Sequence, residues 1–166
     1  IGNMVFEDVT ISSGLILNDN SNYGSSWGDY DKDGFLDVFI CSRSDFQEGD
    51  TQNYLYHNNG DGTFSIVNDQ AGIDNNHHLS FCSSFFDYNN DGWQDLYIAN
   101  DKLETQNLLY KNNGDGTFTE VGEETGTNIS MDGMSTTIGD YNEDGWLDIY
   151  ITNTIAANVS LKNNGD

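Results

Sequence analysis

Three short apolar runs recur along the chain: Val38-Phe39-Ile40, Leu96-Tyr97-Ile98 and Ile149-Tyr150-Ile151. They are rich in β-branched and aromatic residues and bounded by turn formers, which predicts buried β-strands. Before each run lies a stretch containing a hydroxyl pair: Ser25-Ser26, Ser83-Ser84 and Thr136-Thr137. Strands of small hydroxyl residues suit a crowded place where strands converge. After each run comes Asn53-Tyr54-Leu55-Tyr56, Asn107-Leu108-Leu109-Tyr110 or a truncated copy that begins at Asn158. The first two lead through Asn-Asn-Gly-Asp-Gly into Thr63-Phe64 and Thr117-Phe118. Two β-rich runs around such a turn predict a hairpin, because Asn, Asp and Gly accept positive φ. A last element, Phe64 to Val67 with Gly72, is echoed by Phe118 to Val121 with Gly126 and, near the start, by Phe6 to Val9 with Gly14.

Each repeat therefore holds four short strands, A to D. The period is 58 residues from Asp29 to Asp87 and 53 from Asp87 to Asp140. Four antiparallel strands per repeat of this length predict an all-β fold of β-propeller blades. The chain supplies about three blades, at about 10–67, 68–121 and 122–166, in a single repeat domain over 1–166. Strand D of the third blade is missing, and Phe6 to Val9 is a lone D-like strand. No helical periodicity competes, and the chain contains no Pro, so every strand can donate ladder bonds. A β-solenoid is the alternative, although its coils are usually much shorter.

The A–B connections carry the chemistry. They read Asp29-Tyr30-Asp31-Lys32-Asp33-Gly34-Phe35-Leu36-Asp37, Asp87-Tyr88-Asn89-Asn90-Asp91-Gly92-Trp93-Gln94-Asp95 and Asp140-Tyr141-Asn142-Glu143-Asp144-Gly145-Trp146-Leu147-Asp148. Oxygen ligands stand at positions 1, 3, 5 and 9, with glycine at 6. Alternate hard ligands converge on one point when the chain curls around it, and a glycine after the third permits the bend. Calcium takes six to eight oxygens, a need met by these side chains, a backbone carbonyl at position 7 and water. Any turn concentrates Asp, Asn and Gly, but three copies in register favour cation sites over that reading. An EF-hand is excluded: position 12 is Ile40, Ile98 or Ile151, and strands flank the loops. Loop 1, with four carboxylates, is expected to bind tightest. The Asn-Asn-Gly-Asp-Gly turns hold one acid each and are taken as structural.

Charge sharpens the picture. The formal net charge is -23, from 28 acids against 5 bases. Three bound dications would leave about -17, so the metal-free chain repels itself. Nucleic acid and anionic membrane surfaces are poor partners for this field. No apolar run approaches the ~20 residues of a membrane span, so no membrane insertion is expected. The chain begins at Ile1 without a signal-like segment and ends inside a motif, which suggests a piece of a longer protein. Sites of this kind suit an extracellular setting, because weak calcium sites stay empty in a resting cytosol. Cys41 and Cys82 admit either a disulfide or two buried thiols.

The three acidic loops, each followed by an apolar strand, resemble the calcium-binding repeats of FG-GAP/VCBS proteins, which build the propeller of integrin α subunits. The Leu-Tyr-x-Asn-Asn-Gly-Asp-Gly-Thr-Phe element is similar to bacterial secreted repeat proteins and the cartilage acidic protein group. The resemblance implies a partial propeller holding about three Ca2+ ions in its A–B loops. By motif match the ligands are Asp29, Asp31, Asp33, the Phe35 carbonyl and Asp37; Asp87, Asn89, Asp91, the Trp93 carbonyl and Asp95; and Asp140, Asn142, Asp144, the Trp146 carbonyl and Asp148. It further implies a secreted or cell-surface (extracellular or periplasmic) module for adhesion or ligand recognition.

No catalytic constellation is evident, and no catalytic activity is expected. Three equivalent sites argue against catalysis, which uses one asymmetric constellation. Alternatives are a carbohydrate-binding propeller and a non-catalytic propeller segment of a larger secreted enzyme. The partner, an unknown protein or glycan, is expected at the B–C and D–A rim, where the repeats diverge. The residues expected there are Arg43, Phe46, His77 and His78. The open ends of a three-blade piece also predict self-association or a place in a larger propeller.

Overall fold

The computed structural model describes residues 5–15, 21–43, 52–74 and 79–165. These form three antiparallel sheets. The first contains β1 (Ser21–Gly28), β2 (Asp37–Arg43), β3 (Tyr54–Asn58) and β4 (Phe64–Ile66), hydrogen-bonded in that order. The second contains β5 (Ser80–Phe86), β6 (Asp95–Asn100), β7 (Leu108–Asn112) and β8 (Phe118–Glu120), again in chain order. The third contains β9 (Gly133–Gly139), β10 (Asp148–Asn153) and β11 (Val159–Leu161). Simple up-and-down order follows from connections too short for a crossover.

The sheets stack face to face in chain order. Phe39, Cys41 and Leu55 of the first pack with Leu96, Ile98, Tyr110 and Phe118 of the second. Tyr97, Ala99 and Leu109, on the opposite face of the second sheet, pack with Ile149 and Ile151 of the third. Every residue of β6 is buried, because β6 lies between two sheets, and this is why Leu96 to Ala99 read as a continuous apolar run. Full burial of each such side chain contributes roughly 1.5–3 kcal/mol. The outer face of the first sheet has its own smaller cluster of Val38, Tyr54 and Tyr56.

The strands converge along β1, β5 and β9, which neighbour one another from sheet to sheet. A Cβ on Gly24 would stand 2.6 Å from the Phe81 carbonyl oxygen, so only glycine allows β1 to approach β5 this closely. The paired hydroxyls fill the same seam. Ser26 Oγ lies 2.8 Å from Ser83 Oγ, and Ser84 Oγ lies 2.6 Å from Thr136 Oγ1. In the middle pair Ser83 faces the first sheet and Ser84 the third.

Two features differ from the sequence expectations. Residues 5–9 form no strand, and Phe6 is fully exposed. In the other units this segment pairs with strand C, and no strand C precedes it among the described residues. Single-turn helices also precede β1, β5 and β9: α1 (Thr10–Ser13), α2 (Asn68–Ala71) and α3 (Gly122–Thr125). At four residues they are too short to leave a periodic signature.

Candidate metal centre

The three A–B loops adopt one conformation. Position 4 is left-handed in each, at Lys32 (φ 59°), Asn90 (φ 55°) and Glu143 (φ 59°). Position 6 follows at Gly34 (φ 92°), Gly92 (φ 86°) and Gly145 (φ 90°). Two left-handed residues within three turn the loop back on itself, and holding a Lys, Asn or Glu there costs backbone energy that the surroundings must offset.

That offset comes from side-chain oxygens. The position-1 carboxylate accepts from the position-6 amide: Asp29 from Gly34 at 3.2 Å, Asp87 from Gly92 at 2.7 Å and Asp140 from Gly145 at 2.8 Å. Position 3 accepts from the position-5 amide at Asp31, Asn89 and Asn142. Position 5 accepts from the position-7 amide at Asp33, Asp91 and Asp144. Each hydrogen bond ties a side-chain oxygen to a backbone amide of its own loop.

Position 9 ties the loop to strand C. Asp37, Asp95 and Asp148 are buried, and each accepts from two backbone amides. One is at position 2: Tyr30, Tyr88 or Tyr141. The other is the Asn that ends or follows strand C: Asn58 at 2.9 Å, Asn112 at 2.8 Å and Asn163 at 2.8 Å. Burial pushes the Asp37 carboxyl up to about 6 and Asp95 up to about 7, against the opposing pull of these amide bonds.

The position-7 aromatics Phe35, Trp93 and Trp146 lie over the C–D turn of their own unit. A Cβ on Gly60 would stand 2.8 Å from the Phe35 ring and on Gly114 2.9 Å from Trp93, and one on Gly165 would run into Trp146. The loops and turns therefore share one end of each sheet, as alternating strand direction predicts. The same Asn residues also join neighbouring sheets: Asn112 Nδ2 donates to the Tyr30 carbonyl and Asn163 Nδ2 to the Tyr88 carbonyl, both at 2.7 Å.

Loop 1 brings Asp29, Asp31 and Asp37 close enough to bind one ion, and Asp31 and Asp33 do the same with His57. Asp29 Oδ1 and His57 Nδ1 are sealed from solvent, and neither has a hydrogen-bond partner. Orphaned lone pairs facing a carboxylate cluster fit a divalent cation. Sequence reasoning missed His57, which lies in strand C, 20 residues beyond the loop. The only signal was its place one residue before an Asn that recurs in all three units.

At the opposite rim one expectation is corrected. Arg43 is 7% exposed, ends β2 and pairs with the buried Asp101 of the second unit. It joins two sheets and is not a free surface cation. Phe46, His77 and His78 lie outside the described residues. Thr127 and Met131, in the D–A segment, are buried as well. Both cysteines are free thiols. No helix among the described residues is long and apolar enough to cross a membrane.

No curated protein matches this chain. The family profile described as FG-GAP-like repeat matches residues 29–82 and 87–151, each match opening on the first aspartate of an acidic loop. These segments cover well over half of the sequence, each running from an acidic loop into strands of the following sheet, and the chain belongs to the FG-GAP-like repeat family.

Proposed function

We propose that this chain is part of a calcium-stabilised β-propeller that serves, without catalysis, as a secreted or cell-surface adhesion or ligand-recognition module. One observation carries the reading: three loops of different composition share the same left-handed turns and the same amide bonds to their oxygens at positions 1, 3, 5 and 9, and two sealed atoms of the loop-1 site are left unpartnered. Without a cation, the clustered carboxylates repel. About three Ca2+ ions, one per loop, would be held by the oxygen ligands named above together with the carbonyls of Phe35, Trp93 and Trp146. FG-GAP repeats are typically extracellular, which agrees with the acidic surface. Stacking of each sheet on the next in chain order supports the propeller reading, and the outer face of the third sheet, which no sheet covers among the described residues, supports continuation or self-association. For recognition, Leu103 and Ile155 stand exposed on the second and third B–C connections, the rim where the repeats diverge.

Thermal melts in calcium and in chelator test the metal reading. Each occupied site is expected to add about 2.7 kcal/mol at a hundredfold excess over Kd. Identical melting temperatures in the two conditions would sink it.

A further inference from the structure

Loop 1 differs from its two counterparts in the strand C residue that faces it. His57 of the first unit corresponds to Lys111 and Lys162 of the others. Lys162 Nζ stands 3.5 Å from Asp144 Oδ2, so the third unit places a fixed ammonium against loop position 5. In the first unit His57 Nδ1 lies 3.2 Å from Asp31 Oδ2 and 3.3 Å from Asp37 Oδ1, and Nε2 lies 3.9 Å from Asp33 Oδ2. Despite this proximity, Nδ1 makes no hydrogen bond. The loop's own cation is turned away: Lys32 Nζ sits 3.9 Å from the centre of the Trp93 ring in the next unit. Loop 1 thus carries four carboxylates at positions 1, 3, 5 and 9 against three at those positions in each of the others, and an imidazole in place of their lysine. A protonated lysine has no lone pair to offer a metal, whereas a neutral imidazole does.

We propose that loop 1, besides accepting calcium, is a mixed nitrogen–oxygen site that takes a borderline divalent transition cation of the zinc or cobalt kind in its place, with His57 as the nitrogen ligand. Loops 2 and 3 are oxygen sites only. The inference rests on the reading of the loops as cation sites and adds a chemical difference among them. Imidazole suits zinc-like cations and adds little for calcium, which takes oxygen ligands. The competing role for His57 is that of a protonated counter-ion, doing in unit one what Lys162 does in unit three.

The test uses the 166-residue chain stripped of metal, with His57→Lys, which copies the other two units, and His57→Gln, which replaces the imidazole by an amide. Cobalt(II) is titrated and followed by its d–d absorption, and calcium-dependent melting is measured in parallel. The wild type is expected to bind one Co2+ at least about tenfold more tightly than either variant, given that even supporting partners of a metal ligand are worth that much. Zn2+ should displace it. His77 and His78 are present in all three proteins, so any cobalt they hold cancels. Equal cobalt affinity in the three proteins overturns the role of His57. Loss of calcium stabilisation in all three would overturn only the calcium reading, since the cobalt difference decides His57 by itself.

Discussion

Tyr97 and Tyr150 occupy the same place in consecutive repeats, the middle of strand B, yet one is fully buried and the other is 44% exposed. The two keep the same polar tie within their own sheets. Asn107 Nδ2 donates to the Tyr97 hydroxyl at 2.9 Å, and Asn158 Nδ2 to the Tyr150 hydroxyl at 2.8 Å. What differs is the neighbour: the third sheet covers Tyr97, and no sheet among the described residues covers Tyr150. Local sequence therefore sets the strand and its internal hydrogen bonds, while stacking alone decides how much an apolar side chain contributes. Repeat architectures behave this way because each unit contacts only its neighbours.

The comparison breaks most easily at the tyrosines themselves. Tyr97→Ala removes a large side chain from between two sheets and is expected to cost about 3–5 kcal/mol. Tyr150→Ala should cost under about 1 kcal/mol, as surface substitutions do. Denaturant unfolding of the calcium-loaded protein measures both. Equal costs would show that the face of the third sheet is covered in solution, and a Tyr150 cost that grows with protein concentration would identify a second copy as the cover.

Glycines at the end of strand A sharpen the same point. Gly28 and Gly139 both precede the first loop aspartate. A Cβ on Gly28 would stand 2.6 Å from Cγ of Phe85 in the next sheet, whereas one on Gly139 would meet nothing within 4 Å. Gly28→Ala is expected to cost about 1–3 kcal/mol by overpacking. Gly139→Ala should be neutral or stabilise by about 0.4–1 kcal/mol, because it restricts the unfolded chain. A shift of the same sign and size in both melting temperatures would contradict the stacking argument.

These pairs also show what a sequence discloses and what it withholds. The apolar runs, the hydroxyl pairs and the Asn-Gly-Asp-Gly turns were legible because each satisfies a local rule of strand or turn chemistry, and repetition removed the ambiguity of any single copy. The acidic loop from Asp29 to Asp37 was legible for the same reason. His57 was not, because its role depends on strand C lying beside the loop, a contact made by topology rather than spacing. Arg43 was misassigned to the surface for the mirror-image reason. A lone cation near a loop looks exposed until the strand of the next unit brings Asp101 against it. The left-handed turns at Lys32 and Glu143 left no signal, since neither residue type favours positive φ.

A smaller effect is expected along the hydroxyl seam. Ser84 and Thr136 share a hydrogen bond across two sheets, whereas Thr137, the repeat equivalent of Ser84, is exposed. A double-mutant cycle of Ser84→Ala with Thr136→Val should give a coupling of about 1 kcal/mol. Thr137→Val should be near zero on its own. No coupling between Ser84 and Thr136 would mean that the seam is held by packing alone.

The smallest change is expected at the thiols, which test whether the seam between the first and second sheets ever opens. Cys41 is fully buried at the place that Ala99 holds in the second sheet and Thr152 in the third, a progression from covered apolar to partly exposed polar. Burial pushes the Cys41 thiol up to about 12 and Cys82 up to about 11. Both raised values disfavour the thiolate, the form that reacts. A thiol reagent at pH 8 should therefore label neither cysteine in the folded protein and both after denaturation. The sign of the alkaline limb follows. The unfolded chain releases the Cys41 proton near pH 9 and the folded chain only near 12, so stability is intact below pH 9 and falls as pH rises toward 12. Cys41→Ala, which copies Ala99, should make that fall shallower. Rapid labelling of Cys41 in calcium at pH 8 would show that the first two sheets separate under native conditions, and the distinction between covered and open faces would then be one of degree.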